Sequence, residues 1–263
     1  MVFQIPLVAD GRFSGLIFFI ISAIYTINYM TSKKETYIRR VPAIDAIEEG
    51  IGRATELGKS VFASPGMAPR GIDTSTAAGL SMLSFSARLC ARNDLDLFVP
   101  LGGSEESYTT MELARDIVET QYRLEGKIEQ YDIDNLPFLS GRQFAWASAY
   151  TGMMLREKPA TNIMVGVQYA SAVYISELAH EVGAMVISGT TYLSNVACLA
   201  ASSDYVMIGE EMLAAGAYLS KDPGQLATIR TQDIMKFILI GILVLGVITV
   251  SFGSQLIIEF LNS

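Results

Sequence analysis

Gly52, Gly58, Lys59 and Ser60, in the stretch GIGRATELGKS (50–60), have the residue types of a phosphate-cradling loop. Such a loop reads G-x-x-x-x-G-K-[ST], so that successive backbone N–H groups converge on one phosphate. Here Arg53, Ala54, Thr55, Glu56 and Leu57 separate the two glycines, one residue too many. The order of elements is inverted as well, because the loop should follow a buried strand and open a helix. AIDAIEE before it has a helical pattern, and SVFAS after it reads as a strand. The spacing therefore predicts a helix ended by Gly58, since glycine accepts the left-handed conformation at a helix C-terminus.

Other reactive side chains are sparse. HEVGA places His180 without the second histidine of a zinc-binding H-E-x-x-H helix, so no metal site is expected. Ser188, Thr190, Thr191 and Ser194 have no basic partner nearby in sequence, and G-x-S-x-G is absent. His180 falls in the body of a helix, where a serine hydrolase would need it in a loop. Cys90 and Cys198 sit in apolar helical contexts and read as buried, reduced thiols rather than a disulfide.

The carboxylates are more informative. Glu105 and Glu106 open one helical pattern, and Glu210 and Glu211 open another. They complement the helix dipole and stand where a phosphate would otherwise dock. Arg70 is the sole cation in the turns that follow the candidate strands. A nucleotide or phosphorylated cofactor is disfavoured, and no cofactor is expected. The formal net charge of −8 argues against nucleic acid as a partner, because such binding neutralises phosphates.

Short apolar runs alternate with helical stretches and would position these groups. The candidate strands are 60–64, 95–101, 162–168, 184–189 and 205–209. Alternation of this kind predicts an α/β, Rossmann-like fold with a mostly parallel sheet covered on both faces. Ligands of such sheets bind beyond the carboxyl ends of the strands. That rule nominates Gly102, Gly103, Ser104, Gly189, Thr190, Thr191, Glu210 and Glu211 as candidate ligand-binding residues. In the opening helix Ile44, Ile47, Ile51, Ala54 and Leu57 recur at helical spacing, opposite Asp45, Glu48, Glu49, Arg53 and Glu56.

Two uncharged apolar segments flank this domain, Phe13 to Thr31 and Phe237 to Ile258. Each is long enough to cross a hydrocarbon core about 30 Å thick as a helix. Lys33, Lys34, Arg39 and Arg40 follow the first, and Arg230 and Lys236 precede the second. Basic flanks stay on the cytoplasmic side. The expected organisation is a tail (1–12), a span (13–31), a cytoplasmic α/β domain (32–236), a second span (237–258) and a tail (259–263). The chain would lie in the cell (inner) membrane with both termini outside.

The stretches AIDAIEEGIGRATELGKSVFASPG, TSTAAGLSMLSFSARLCARNDLDLFVP, GAMVISGTTYLSNVACLAASSDYVMIGEEMLAAGAYLSKDPGQL and TQDIMKF together resemble a family of prokaryotic integral-membrane proteins, a domain of unknown function. The likeness runs from about Val41 to about Phe237, and IEEGIGRATELGK and DYVMIGEEMLAAGAYLS are its most specific parts. It implies membrane anchoring and an α/β cytoplasmic domain, and supplies no activity or catalytic residue.

Two functions remain open. The first is a non-enzymatic, membrane-anchored scaffold that self-associates or joins a larger membrane complex. Its candidate contacts are Glu48, Glu49 and Arg53 on the opening helix, with Gly246 and Gly253 seven apart on the second span. The alternative is a small-ligand-binding or enzymatic domain using the strand-end residues. A channel or transporter is disfavoured, because neither span carries an ionisable residue.

Overall fold

A computed structural model describes residues 13–31, 40–67, 72–103, 108–167 and 169–251. The chain forms two compact units, one of residues 38–220 and one drawn from 1–37 and 221–263.

The larger unit is a mixed α/β domain. Its elements in chain order are α2 (Pro42–Leu57), β1 (Val61–Gly66), α3 (Thr74–Arg92), β2 (Leu97–Phe98), β3 (Leu101–Gly102) and α4 (Tyr108–Leu124). Then follow β4 (Phe138–Ser140), α5 (Gln143–Glu157), β5 (Thr161–Val167), α6 (Ser171–Glu181), β6 (Met185–Thr190), α7 (Leu193–Ser202), β7 (Tyr205–Ile208) and α8 (Glu210–Ser220). The main sheet has the order β2-β1-β5-β6-β7, and all its pairings are parallel. Chain direction across the sheet reverses between β1 and β5, which makes that junction the switch point.

Alternation along the central strands builds two cores. Val61, Ala63, Ile163, Val165, Met185 and Ile187 face a cluster that includes residues of α2, α3, α4 and α8. Phe62, Met164 and Val186 face the opposite cluster with residues of α5 and α6. Successive strand side chains point to opposite faces, so a sheet read this way is covered on both. Trp146, Tyr150 and Phe62 are the largest fully buried side chains. Tyr150 donates its phenolic proton to Asn162 Oδ1 at 2.6 Å.

The opening motif resolves as a helix and its stop. Pro42 starts α2, a position where its missing N–H costs nothing. Ile44, Ile47, Ile51 and Ala54 are buried, while Leu57 is exposed at the last turn. Gly58 has φ +62° and its N–H donates to the last carbonyls of α2. Gly50 is the contact with the sheet: Thr161 Oγ1 donates to its carbonyl at 2.7 Å. At the switch point the backbones approach closely. A Cβ on Gly79 of α3 would lie 2.4 Å from the Val165 carbonyl oxygen. On Gly166, where φ is +134°, it would lie 2.1 Å from the Pro65 oxygen.

Two of the expected strands differ in the structure. The run 95–101 does not form one strand, because it divides at Val99–Pro100: Leu97–Phe98 joins the main sheet and Leu101–Gly102 pairs with β4 in a separate two-stranded sheet. The run 205–209 is not a strand covered on both sides. β7 is the edge of the sheet, with Tyr205 and Ile208 exposed and Met207 buried.

The smaller unit contains α1 (Phe13–Thr31) and α9 (Pro223–Ser251), which pack against each other. Asp222 caps α9 by accepting from the Gln225 N–H at 2.9 Å, so the helix begins well before Phe237. Among the described residues, α9 is the helix long and apolar enough to cross a membrane, with a mean hydropathy of 2.5 in its most apolar window. α1 is apolar but shorter over its described side chains. The helices meet through hydroxyls, with Thr26 Oγ1 and Thr231 Oγ1 sharing a hydrogen bond at 2.8 Å.

Candidate functional site

The carboxyl ends of β1, β5 and β6 bring together the first turns of α3 and α6 and the turn after β6. Asp73 caps α3, its Oδ1 accepting from the Thr76 N–H at 2.7 Å. The α3 N-terminus therefore carries its own carboxylate, which occupies the place an anion would take. Two residues after Asp73, Ser75 Oγ and Thr191 Oγ1 lie 2.5 Å apart and share a hydrogen bond. That contact ties α3 to the turn after β6. Thr190 Oγ1 accepts from the Tyr192 N–H at 3.2 Å, and the Thr190 carbonyl accepts from the Gly209 N–H at 2.9 Å. The Tyr192 ring lies 6.3 Å from the Tyr169 ring, just after β5.

Two hydroxyls at this end are buried without a hydrogen-bond partner: Thr76 Oγ1 in α3 and Ser171 Oγ at the start of α6. Unpaired buried polar atoms are uncommon, because each carries an uncompensated loss of hydration. They lie in the first turns of two helices that leave the sheet in opposite directions from the switch point. Sequence spacing could not identify them, since Ser and Thr occur at helix starts for capping alone.

The residues nominated from the sequence are distributed as follows. Gly189, Thr190 and Thr191 lie at the end of β6, and Glu210 and Glu211 open α8 directly after β7. Glu211 Oε2 faces the Ile208 N–H at 3.4 Å, and both glutamates are exposed. Gly102 and Gly103 belong to the segment of β3, outside the main sheet. Gly102 lies beneath Trp146, whose Cδ1 would be 2.3 Å from an added Cβ. Gly189 is walled by Val165 and Met207. Both glycines thus serve close packing. Ser104, Glu105, Glu106 and Arg70 lie outside the described residues.

No group of three or more His, Cys, Asp or Glu side chains suited to a metal occurs among the described residues. His180 sits near the C-terminal end of α6, at the amino end of the sheet. Its Nε2 is 3.2 Å from the Ser202 carbonyl, and its Nδ1 is 4.0 Å from Asp204 Oδ2. Asp204 in turn accepts from the Val186 N–H at 2.7 Å. This arrangement fastens α6, β6 and the approach to β7, and aims no imidazole nitrogen at a nucleophile. Cys90 is buried, and burial pushes its thiol well above the ordinary range, away from the reactive thiolate.

The candidate contact residues of α2 are at the surface. Arg40 pairs with Asp45 at 2.5 Å and with Glu48 at 2.6 Å. Arg53 donates to the Gly183 carbonyl at 3.2 Å, an intramolecular use that sequence could not anticipate. Glu49 is exposed, Gly246 lies within α9, and Gly253 is outside the described residues.

A surface that sequence reasoning passed over lies at the β7 edge. α7 and the turn before it contain no charged residue, yet Leu193 is 83% exposed, and Ala197, Cys198, Ala200 and Ala201 are exposed as well. Tyr192, Tyr205 and Ile208 continue the exposed apolar surface into the edge strand. The signal was the uncharged run from Ala184 to Ser203. Its pattern predicts one buried strand, 184–189, and the helix that follows.

A family model described as a domain of unknown function (DUF6754) matches residues 9–261. Comparison with curated proteins and with solved structures returned no match.

Proposed function

The chain belongs to the domain-of-unknown-function family DUF6754, and we propose that it is a membrane-anchored, non-enzymatic assembly module that self-associates. α9 is its anchor, and the α/β unit lies on the side of Arg230 and Lys236, the cytoplasmic side by the flanking-charge rule.

The observation that carries this reading is the exposed apolar surface of α7 and the edge strand β7. Edge strands of monomeric proteins are commonly protected by charge, proline or a bulge. β7 has none of these in Tyr205–Ile208, and α7 beside it leaves Leu193 almost wholly exposed. An apolar face rimmed by polar groups marks an interaction site. Because no side chain of α7 or β7 is itself charged, and the flanking charges Asp204, Glu210 and Glu211 are all acidic, a second copy bringing the same apolar face is the simplest fit, with paired edges related by a twofold axis.

Native mass spectrometry of the full chain in mild detergent tests the proposal. A discrete oligomer is expected, and Ile208→Lys with Leu193→Glu should convert it to monomer while circular dichroism stays unchanged. A wild-type chain that is monomeric across mild detergents overturns the reading.

The unpaired hydroxyls of Thr76 and Ser171 favour a second reading, in which a small polar ligand sits at the switch point and satisfies them. A monomeric particle carrying a reproducible extra mass, lost in Thr76→Val, moves the conclusion to that reading.

A further inference from the structure

The axial register of α1 against α9 separates two segments that hydropathy alone places in the same layer. Thr26 and Thr231 share a hydrogen bond at 2.8 Å and so lie at one level. Met30 Cε is 3.9 Å from the position of a Cβ on Gly224, so the two helices run antiparallel. Each residue advances about 1.5 Å along a helix axis. Phe237 therefore stands about 9 Å from the Thr26 level in one direction, and Thr31 about 7.5 Å in the other. The near ends of the two apolar segments are offset by about 16 Å.

Both segments cannot lie centred in one hydrocarbon layer. If α1 filled that layer from Phe13 to Thr31, the facing part of α9 would carry Arg230, Asp233 and Lys236 into it, near the levels of Ile27, Ile24 and Ile21. Ionisable side chains at such depth are costly and face a polar cavity or one another. Arg230 and Lys236 are exposed on the surface of α9, where a hydrocarbon layer would surround them. If the layer begins at Phe237, the described part of α1 enters it by only about 10 Å, a third of its roughly 30 Å.

We infer that the hydrocarbon boundary lies at the level of Lys236 and Ile21, and that α1 from Ile21 to Thr31 stands in the headgroup layer and beyond it, braced on the charged start of α9. This inference rests on the reading of α9 as a membrane span. The chemistry along the contact agrees with it. Ser22, Tyr25, Thr26 and Tyr29 are the half-buried residues of that stretch of α1 other than Ala23, and they form a hydroxyl-rich seam suited to water and headgroups. Tyr25 and Tyr29 stack with ring centroids 6.0 Å apart, level with the region of Arg230. Aromatic and basic side chains gather at that depth in membrane proteins.

Four apolar, exposed positions test this without altering any charge. Ile24, Ile27, Leu243 and Val247 have exposures of 62%, 63%, 66% and 61%, so within the chain they are equally open to reagent. Each is changed singly to Cys in the full chain carrying Cys198→Ser, since Cys90 is buried. Permeabilised proteoliposomes are then treated with a water-soluble maleimide, which needs a hydrated thiolate. Ile24→Cys and Ile27→Cys should react more than about tenfold faster than Leu243→Cys and Val247→Cys. Slow reaction at all four overturns the inference and leaves the α9 span standing. Fast reaction at all four removes the span itself, and the inference with it.

Discussion

Gly50 and Gly52 lie two residues apart in α2, and the structure gives them opposite roles. A Cβ on Gly50 would sit 2.8 Å from Thr161 Cγ2 and 3.0 Å from its Oγ1, whereas one on Gly52 would meet nothing within 4 Å. Thr161 is fully buried in β5 and held by its hydrogen bond to the Gly50 carbonyl, so its methyl group has no free rotamer to turn into. Gly→Ala in a helix interior gains about 1 kcal/mol from backbone entropy. At Gly52 that gain stands alone. At Gly50 it is opposed by about 1–3 kcal/mol of overpacking and by weakening of a buried hydrogen bond worth about 1 kcal/mol. Gly50→Ala should therefore lose about 1–2 kcal/mol net, and Gly52→Ala should gain up to about 1 kcal/mol. For a unit of this size the apparent Tm moves by about 2–4 °C per kcal/mol. Far-UV circular dichroism of the full chain in one detergent at one scan rate reads both shifts. Thr161→Ser keeps the hydroxyl and removes the methyl, so Gly50→Ala with Thr161→Ser should recover most of the loss. Equal shifts of the same sign for the two glycines, or no recovery in the double variant, would refute the packing of α2 on β5 through Gly50.

Trp146 is the chain's one tryptophan, so its fluorescence isolates the contact with Gly102. Gly102→Ala should shift the emission to the red and lower the apparent Tm, while Gly126→Ala, with open space around it but φ +72°, should leave the emission unchanged. Glu125 is held below the usual carboxylate range by hydrogen bonds from Arg92 and then Arg88, reinforced by their charges. Its contribution is complete above the unfolded glutamate pKa of about 4.5 and is lost as pH falls through the lower folded value, so Glu125→Gln should flatten the acid limb of a stability–pH profile. Cys198 is exposed and Cys90 buried, so a thiol reagent should titrate one cysteine in the dispersed native chain and two after denaturation. If α7 is the assembly face, Cys198 should react more slowly in the oligomer than in the Ile208→Lys, Leu193→Glu chain.

Much of the α/β unit was legible because its signals are local. The helix stop at Gly58 needs only a glycine after a periodic run, and the burial of Ile44, Ile47 and Ile51 follows from their spacing. The parallel sheet followed from alternating strands and helices. Features set by partners distant in sequence were not legible. Gly102 carries no local mark of the indole that covers it, and Arg53 none of the Gly183 carbonyl it reaches. An apolar run such as YVMI reads the same in the centre of a sheet as at its edge, because periodicity records neither strand order nor what lies alongside. Hydropathy found α1 and α9 but measures length along one chain, so it is blind to their relative height. At the strand ends, glycines and hydroxyls were visible, while the unpaired state of Thr76 and Ser171 exists only once the surrounding residues are assembled.

The pairing of β1 with β5 sets a schedule for the nascent chain. Val61 lies opposite Thr161, a partner translated about a hundred residues later. At about 5–20 residues per second, roughly 5–20 s pass before that partner is made. Through this interval the apolar segment VFA of β1 can join only the short β2, whose register covers two of its residues. The fit of Gly79 against Val165 and of Gly166 against Pro65 cannot form until β5 arrives, so α3 has β1 but not β5 to rest on during that wait. α9 follows every described strand in the chain. The sheet is thus synthesised before α9 leaves the ribosome, and a slowed ribosome between α3 and β5 would lengthen the stage at which its central strand is open to aggregation.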